Sequence, residues 1–550
     1  MRPVRRRRRR PRLHRARHRR RRHRPDRPAR RGRRPDRGRR VSPDTYDVLV
    51  LGGGVAGCVL AARLSEDPGR TVCLVEAGPD HGPDPAGWPA PLLDARALPR
   101  EDMWERKVAV HRFRARVVGG SSCVNGCWNT WGSEADHREW VRAGGERWSS
   151  AAMEPYRAAA VDAMGLRPVP DRELSPWARA AVDAARELGH TEADMGRTGA
   201  PGYGFPLLNA HDGTRWNAAL AYLGAGVRAR RNLTVLPHAV ADRLLVRGDR
   251  VDGVVVHAGG SPRTLRADRY VVAAGAFGSP ALLLRSGVGP ADELRALGVD
   301  PVLDRPGVGA NLSDQPGVFL PLAPAPELDA ALAAKERDGE LYVSRVLLRT
   351  ASEHAPEDGW DLHVLPSAGP PLFGSLPPGR YEAGVSAFLM KPVSRGSVRL
   401  TSTDPLAPLA LDPGFLTDPE GRDLAVLRSG LETALRLART PALEALASLP
   451  GGTAPHLLGD EELRARTGTY WHPVGTCAMG PADDPAAVVD GEGRVHGLAN
   501  LTVADASVLP ALPAANTQLP VLATAELLAA ALIAGPGARP EAPTTKERPA

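Results

Sequence analysis

The sequence predicts an α/β unit with a buried parallel sheet, joined to a second unit built on a half-buried sheet. Three observations predict it. At 550 residues the chain exceeds what one hydrophobic core usually supports. Tyr46 to Glu76 reads as strand, glycine turn, helix and strand. Tyr381 to Leu400 alternates apolar and polar positions, as strands of a half-buried sheet do, and Asp423 to Leu437 carries the helical period of an element packed beside them.

The first unit opens with Y-D-V-L-V-L at Tyr46 to Leu51, a short apolar run suited to a buried parallel strand. G-G-G-V-A-G follows, with Gly52, Gly54 and Gly57 on the G-x-G-x-x-G spacing. Cys58 to Leu64 is the predicted helix, and Thr71 to Val75 the second strand, ending at Glu76. Gly52 permits the tight turn, Gly54 the approach of a pyrophosphate, and Gly57 close packing of helix on strand. The helix N-terminus offers N–H groups and a positive dipole end to phosphates. Glu76, 19 residues past Gly57, can accept from a ribose diol. The whole arrangement specifies a dinucleotide site, but the fingerprint alone leaves NAD and FAD both open.

Charge divides the chain. Residues 1–40 hold 23 Arg against Asp26 and Asp36, a net of +21, whereas the remaining 510 residues carry −12. Such a tail cannot bury enough apolar surface to fold alone and reads as disordered, as does the Pro-rich, charged end at 535–550. A basic tail also raises nucleic-acid binding, but it lacks aromatics and any recognition motif, so nucleic acid is not the expected partner. Arg39 and Arg40 before the apolar run from Val48 to Leu64 imitate a twin-arginine signal, yet that run is the glycine fingerprint itself. No apolar stretch reaches the length of a membrane span. Five scattered cysteines without metal-ligand spacing fit reduced thiols and a cytoplasmic setting. No metal site is expected.

Four further motifs follow in order: R-V-V-G-G-S-S-C-V-N-G at Arg116 to Gly126, V-V-A-A-G-A-F-G-S-P-A-L-L-L-R-S-G-V-G at Val271 to Gly289, G-V-G-A-N-L-S-D-Q-P at Gly307 to Pro316, and H-P-V-G-T-C at His472 to Cys477. In the second, Ser279–Pro280 has N-cap and N1 chemistry and places a helix start there. Val495 to Pro510 reads as another strand ending at Asp505. From about Tyr46 to Ala530 the chain resembles the glucose–methanol–choline oxidoreductase family. The resemblance implies FAD and an α/β plus α+β fold: a Rossmann-like FAD-binding domain with an antiparallel-sheet substrate-binding domain. It divides the chain into flavin pieces at 41–150, 220–310 and 466–534, and substrate pieces at 151–219 and 311–465.

The resemblance implies that Gly52, Gly54, Gly57 and Glu76 serve the adenosine and diphosphate. It puts Val118, Gly120, Ser121, Asn125 and Gly126 along the diphosphate and flavin, Val240 at the adenine, Ala274 and Gly275 nearby, and Asp505 and Ala506 on the flavin side. Val124 stands where some members carry a flavin-linking histidine, so non-covalent FAD is implied.

By its local sequence alone, a histidine before a proline is more often structural than catalytic. The resemblance makes His472 the general base that takes the proton of an alcohol as hydride passes to flavin N5. His111, His137, His211 and His496 have no such support. The family's second polar position falls on Gln518 in A-N-T-Q-L-P, with Asn516 two residues earlier; Gln518 is the expected substrate contact, and in the alternative Asn516 orders the backbone and the second catalytic role is weak. Trp128, Trp131 and Trp471 are candidate cavity walls, with simple core packing as the competing reading. The implied activity is oxidation of a small alcohol to an aldehyde or ketone. A hydroxynitrile-lyase-like cleavage on the same flavin scaffold is the alternative. The electron acceptor, whether oxygen, quinone or another carrier, is not legible.

Overall fold

The structure is a computed structural model, and it describes residues 44–99, 101–104, 114–371, 380–450 and 458–535. The arginine-rich segment, the extreme C-terminus and His111 lie outside the described residues.

The first sheet is laid down by β1 (Thr45–Leu51), β2 (Val72–Val75), β3 (Leu233–Leu236), β4 (Ala239–Arg247), β5 (Arg250–Ala258) and β6 (Ser261–Val272). Their spatial order is β3-β2-β1-β6-β5-β4, and Leu501–Val503 also pairs with β6. Pairing is parallel from β3 to β6 and antiparallel from β6 to β4. Leu49, Val50, Leu51 and all of β2 are buried, as a parallel sheet covered on both faces requires. Helix α1 (Val55–Leu64) follows β1 and is apolar around most of its circumference, since it is covered in turn by the C-terminal helix Gln518–Ala534.

Helix α2 (Gly275–Arg285) starts earlier than the Ser279–Pro280 signal predicts. Gly275 takes the turn after β6 at φ +77°, and Ser279 lies inside the helix. Its hydroxyl accepts from Ala274 N at 3.0 Å and donates to Asp505. Pro280 cannot donate to the carbonyl four residues back, and Thr476 Oγ1 donates to that Ala276 oxygen instead, at 2.6 Å. The strand expected from Val495 to Asp505 shrinks to Leu501–Val503.

The second sheet is antiparallel. It contains β7 (Pro316–Pro324), β8 (Leu347–Thr350), β9 (Leu362–Gly369) and β10 (Glu382–Leu389) in the order β7-β10-β9-β8. Gly202–Gly204 extends it beyond β8, and Gly468–Thr469 pairs with Pro316–Gly317 of β7. Alternation along β10 separates two faces: Ala383, Val385, Ala387 and Leu389 are buried, while Ser386 and Phe388 line a cavity. Helix α3 (Arg422–Ala438) covers the buried face, with Gly430 set against Leu362 and Ala387. The later part of the Tyr381–Leu400 stretch leaves this sheet: Ser397–Arg399 pairs with Ala410–Asp412 in a separate ribbon. The cavity lies between the cavity-facing side of this sheet and the glycine turn after β1.

Candidate active site

At the β1–α1 turn, Gly52 sits at φ +113°. A Cβ on Gly57 would stand 1.9 Å from Gly52 O, so the third glycine serves helix–strand contact and lies outside the cavity lining. Gly54 lines the cavity, and a Cβ there would meet nothing within 4 Å. Glu76, at the end of β2, accepts Gly53 N and Gly78 N, both at 2.8 Å. Burial pushes its carboxyl pKa upward against those two backbone donors. A carboxylate with two donors keeps acceptor capacity for a diol.

The loop at 117–126 closes on this turn. Gly119 N donates to Gly53 O at 2.7 Å, and a Cβ on Gly120 would lie 2.6 Å from Gly54 Cα. Gly120, Ser121, Val124, Asn125 and Gly126 line the cavity. Val118 does not: it is fully buried, its N–H goes to Pro79 O, and its neighbour Val117 faces the space instead. Val240, Ala274, Gly275, Asp505 and Ala506 all line the cavity. Asp505 is saturated by protein donors, with Gly275 N at 2.8 Å and Ser279 Oγ on one oxygen, and Ser507 N and Oγ on the other. It fixes the α2 turn to the 505–508 turn.

The cavity is about 740 Å³, at the large end for a cofactor site. An open Gly54 at a helix N-terminus and an acid at the end of the second strand fit a dinucleotide diphosphate and ribose. Arg114 adds positive charge: its guanidinium lies 5.1 Å from the Phe277 ring centroid, meets no carboxylate among the described residues, and is pushed down to about 10 by burial.

At the other end, Asp314 holds the turn that carries His472. It accepts Thr469 Oγ1 at 2.6 Å and His472 N at 2.8 Å. Burial pushes Asp314 up to about 6 against these donors. Trp471 is thereby held at φ +62°, a strained conformation for a bulky residue. His472 Nδ1 lies 2.7 Å from Gln315 Oε1. The Gln315 amide is oriented by its nitrogen, which donates to Pro513 O at 3.0 Å and Ala515 O at 3.2 Å. Its oxygen must therefore face the imidazole, so Nδ1 carries the hydrogen and Nε2 is left as an acceptor. Burial holds His472 down to about 3, which keeps the ring neutral. Tyr470 lies beside it, with ring centroids 4.5 Å apart, and stacks on Phe388 at 3.8 Å.

The two amides named for the second polar position differ in their hydrogen bonds. Gln518 lines the cavity, but its oxygen accepts from Asn125 Nδ2 and its nitrogen donates to Asn129 Oδ1 at 3.0 Å and Asn209 Oδ1 at 3.2 Å. Its amide is spent within the protein. Asn516 accepts Thr130 Oγ1 at 2.9 Å on its oxygen, which leaves its N–H₂ end toward Tyr470. Trp128 and Trp471 line the cavity, whereas Trp131 is packed 5.7 Å from His137 and does not. His137 and His496 make structural contacts, to Trp148 O and Gly480 O. All five cysteines are buried and free, and no metal-ligating cluster occurs among the described residues.

Asp314, Gln315, Arg114 and Thr130 escaped the sequence reading. Asp314 and Gln315 sit inside a quoted motif, but nothing local ties them to a histidine 157 residues away.

A dinucleotide cradle opening onto a neutral, oriented imidazole defines a dinucleotide-dependent oxidoreductase. The N-terminal profile of the GMC oxidoreductases matches residues 46–317, and the C-terminal profile matches residues 392–525. Among curated proteins, 5-(hydroxymethyl)furfural oxidase of Methylovorus sp. is 32% identical, over 89% of this chain and 98% of its own length. Human mitochondrial choline dehydrogenase is 32% identical, over 88% of this chain and 89% of its own. Among solved structures, pyridoxine 4-oxidase from Mesorbium loti superimposes with a TM-score of 0.73 at 31% identity, covering 88% of this chain and 98% of that one. The chain belongs to the GMC oxidoreductase family and is an FAD-dependent oxidoreductase. No helix among the described residues is long and apolar enough to cross a membrane.

Proposed function

We propose that this protein oxidises an alcohol to an aldehyde or ketone, with His472 as the base and FAD held non-covalently. The observation that carries the reading is the Gln315–His472 pair, because it leaves Nε2 unprotonated at the cavity wall. FAD, when bound, supplies the hydride acceptor at flavin N5. The chain handles the rest. His472 Nε2 accepts the hydroxyl proton as the C–H bond breaks, which removes the cost of losing hydride from an intact alcohol. Asn516 offers its N–H₂ to the substrate oxygen and steadies the charge that develops there. Gln518, Asn125, Asn129 and Asn209 form an amide cluster that stiffens the wall under the site.

The wall itself points to a flat substrate. Phe319, Phe388, Tyr470, Trp471 and Trp128 line the cavity, and aromatic side chains stack on planar groups. The relatives named for hydroxymethylfurfural and pyridoxine act on ring-borne alcohols, which agrees with this reading. The test is anaerobic addition of aryl alcohols to the oxidised holoenzyme. Bleaching of the flavin absorbance supports alcohol oxidation. Turnover of a hydroxynitrile without bleaching would instead establish lyase chemistry on the same scaffold.

A further inference from the structure

The cavity has a positively charged flank that the proposed reaction does not use. Arg345 lines it, and its side chain is only 3% exposed. Its Nε donates to Glu173 at 3.0 Å and its Nη1 to Ser344 O at 3.3 Å, but its Nη2 has no hydrogen-bond partner. The guanidinium lies 3.8 Å from the centroid of the Tyr342 ring, which also lines the cavity. Stacking of this kind fixes the plane of the group and the direction of its remaining donor.

Glu173 is shared between this arginine and Arg167, which holds its other oxygen. Nearby, Arg96 pairs with Asp94, whereas fully buried Arg215 donates to the carbonyls of Asn125, Leu92 and Ala97 and meets no carboxylate. Arg215, Arg345 and Asp94 all act on the buried Cys127 thiol between them, so the groups share one neighbourhood. In these contacts four guanidinium groups meet two carboxylates, and the Glu382 carboxylate also lines the cavity. A buried, unpartnered donor in such a field calls for an anionic acceptor.

Arg345 and His472 line the same cavity. Phe388, stacked on Tyr470, marks the His472 end. Ser344 Oγ donates to Pro366 O, and Pro366 pairs with Val385, three residues from Phe388 and about 10 Å along the strand.

We propose that Arg345 reads an anionic group, so that the alcohol taken by this cavity bears a carboxylate at the end remote from its hydroxyl. The proposal rests on the alcohol-oxidation reading for its reactive end, and the experiment separates the two. Initial rates of flavin reduction are compared for 4-(hydroxymethyl)benzoate and its methyl ester. The wild-type holoenzyme should favour the acid at least tenfold in kcat/KM, and Arg345→Gln should lower that ratio at least tenfold. Equal kcat/KM values in the wild type, or a ratio unchanged in Arg345→Gln, would overturn the proposal. Binding of 4-methylbenzoate, which has no hydroxyl to oxidise, is read from the flavin absorbance change. Its Kd should rise at least tenfold in Arg345→Gln, and an unchanged Kd counts against the proposal. If neither alcohol bleaches the flavin while this binding difference holds, the oxidation reading fails and the anion site stands. Where Arg345→Gln does not retain flavin, Arg345→Lys is read instead: loss of the fork should raise the 4-methylbenzoate Kd at least threefold, and no change contradicts the proposal.

Discussion

Gln315 Oε1 and His472 Nδ1 lie 2.7 Å apart, and the glutamine is itself pinned through its nitrogen to Pro513 O and Ala515 O. The imidazole therefore has one defined tautomer. Replacing Gln315 with Leu removes the acceptor for Nδ1–H and frees the ring to present either nitrogen. Flavin reduction by substrate should slow by about 10- to 100-fold, part of the roughly 10²–10⁴ that a positioned base contributes. Stopped-flow reduction of a Gln315→Leu holoenzyme with normal flavin content checks this.

Burial holds His472 down to about 3, far below the 6.5 of a free histidine. The ring is then already neutral across the ordinary working range, so kcat/KM should show no acid limb near pH 6.5. Gln315→Glu would set an anion against Nδ1 and raise the imidazole pKa, bringing an acid limb into view. The same shift bears on stability. Below about pH 6.5 the unfolded chain binds a proton that the folded site excludes, so this contribution is fully present above 6.5 and is lost as pH falls toward 3. His363, also held well below its usual value by burial, acts in the same direction. Thermal midpoints measured from pH 7 to pH 4 should fall, and the fall should be smaller in His472→Gln.

Asn516 and Gln518 should separate by phenotype. Asn516→Ala removes the donor proposed for the substrate oxygen and should lower kcat/KM by about 10- to 100-fold. Gln518→Leu strands the amides of Asn125, Asn129 and Asn209, and a buried unsatisfied polar group costs about 1–3 kcal/mol. Its main effect should be a lowered unfolding midpoint in denaturant. Gln518→Leu with the larger kinetic defect and unchanged stability would reverse the assignment.

Two glycines of the fingerprint should also part company. An alanine at Gly57 collides with Gly52 O and should destabilise the apoprotein by about 1–3 kcal/mol. An alanine at Gly54 meets nothing in the protein and fills only the space expected to hold the diphosphate. Gly54→Ala should leave apoprotein stability near normal while weakening FAD affinity, as read by flavin fluorescence titration.

These contrasts show what the sequence could carry. The β1–α1–β2 unit and α3 were readable because hydrophobic period and glycine spacing act over short windows. The glycine turn and Glu76 were legible for the same reason, within one strand–turn–helix–strand unit, whereas His472 was singled out by the family resemblance and not by its local sequence. The start of α2 was misplaced because a Ser-Pro pair gives the same local signal as a cap, while the actual turn is made by Gly275 and tied to Asp505, 230 residues away. The partner of His472 and the internal use of Gln518 depend on contacts across 157 and 393 residues, which no local pattern encodes. Trp131 failed as a cavity wall because one position along a loop decides which face a ring takes.

The central claim is that His472 accepts the substrate proton. Anaerobic mixing of an aryl alcohol with His472→Ala holoenzyme tests it most directly. Flavin content and visible spectrum should match the wild type, and the rate of bleaching should fall by about 10²–10⁴. Bleaching at the wild-type rate by a fully flavinylated His472→Ala enzyme would contradict it.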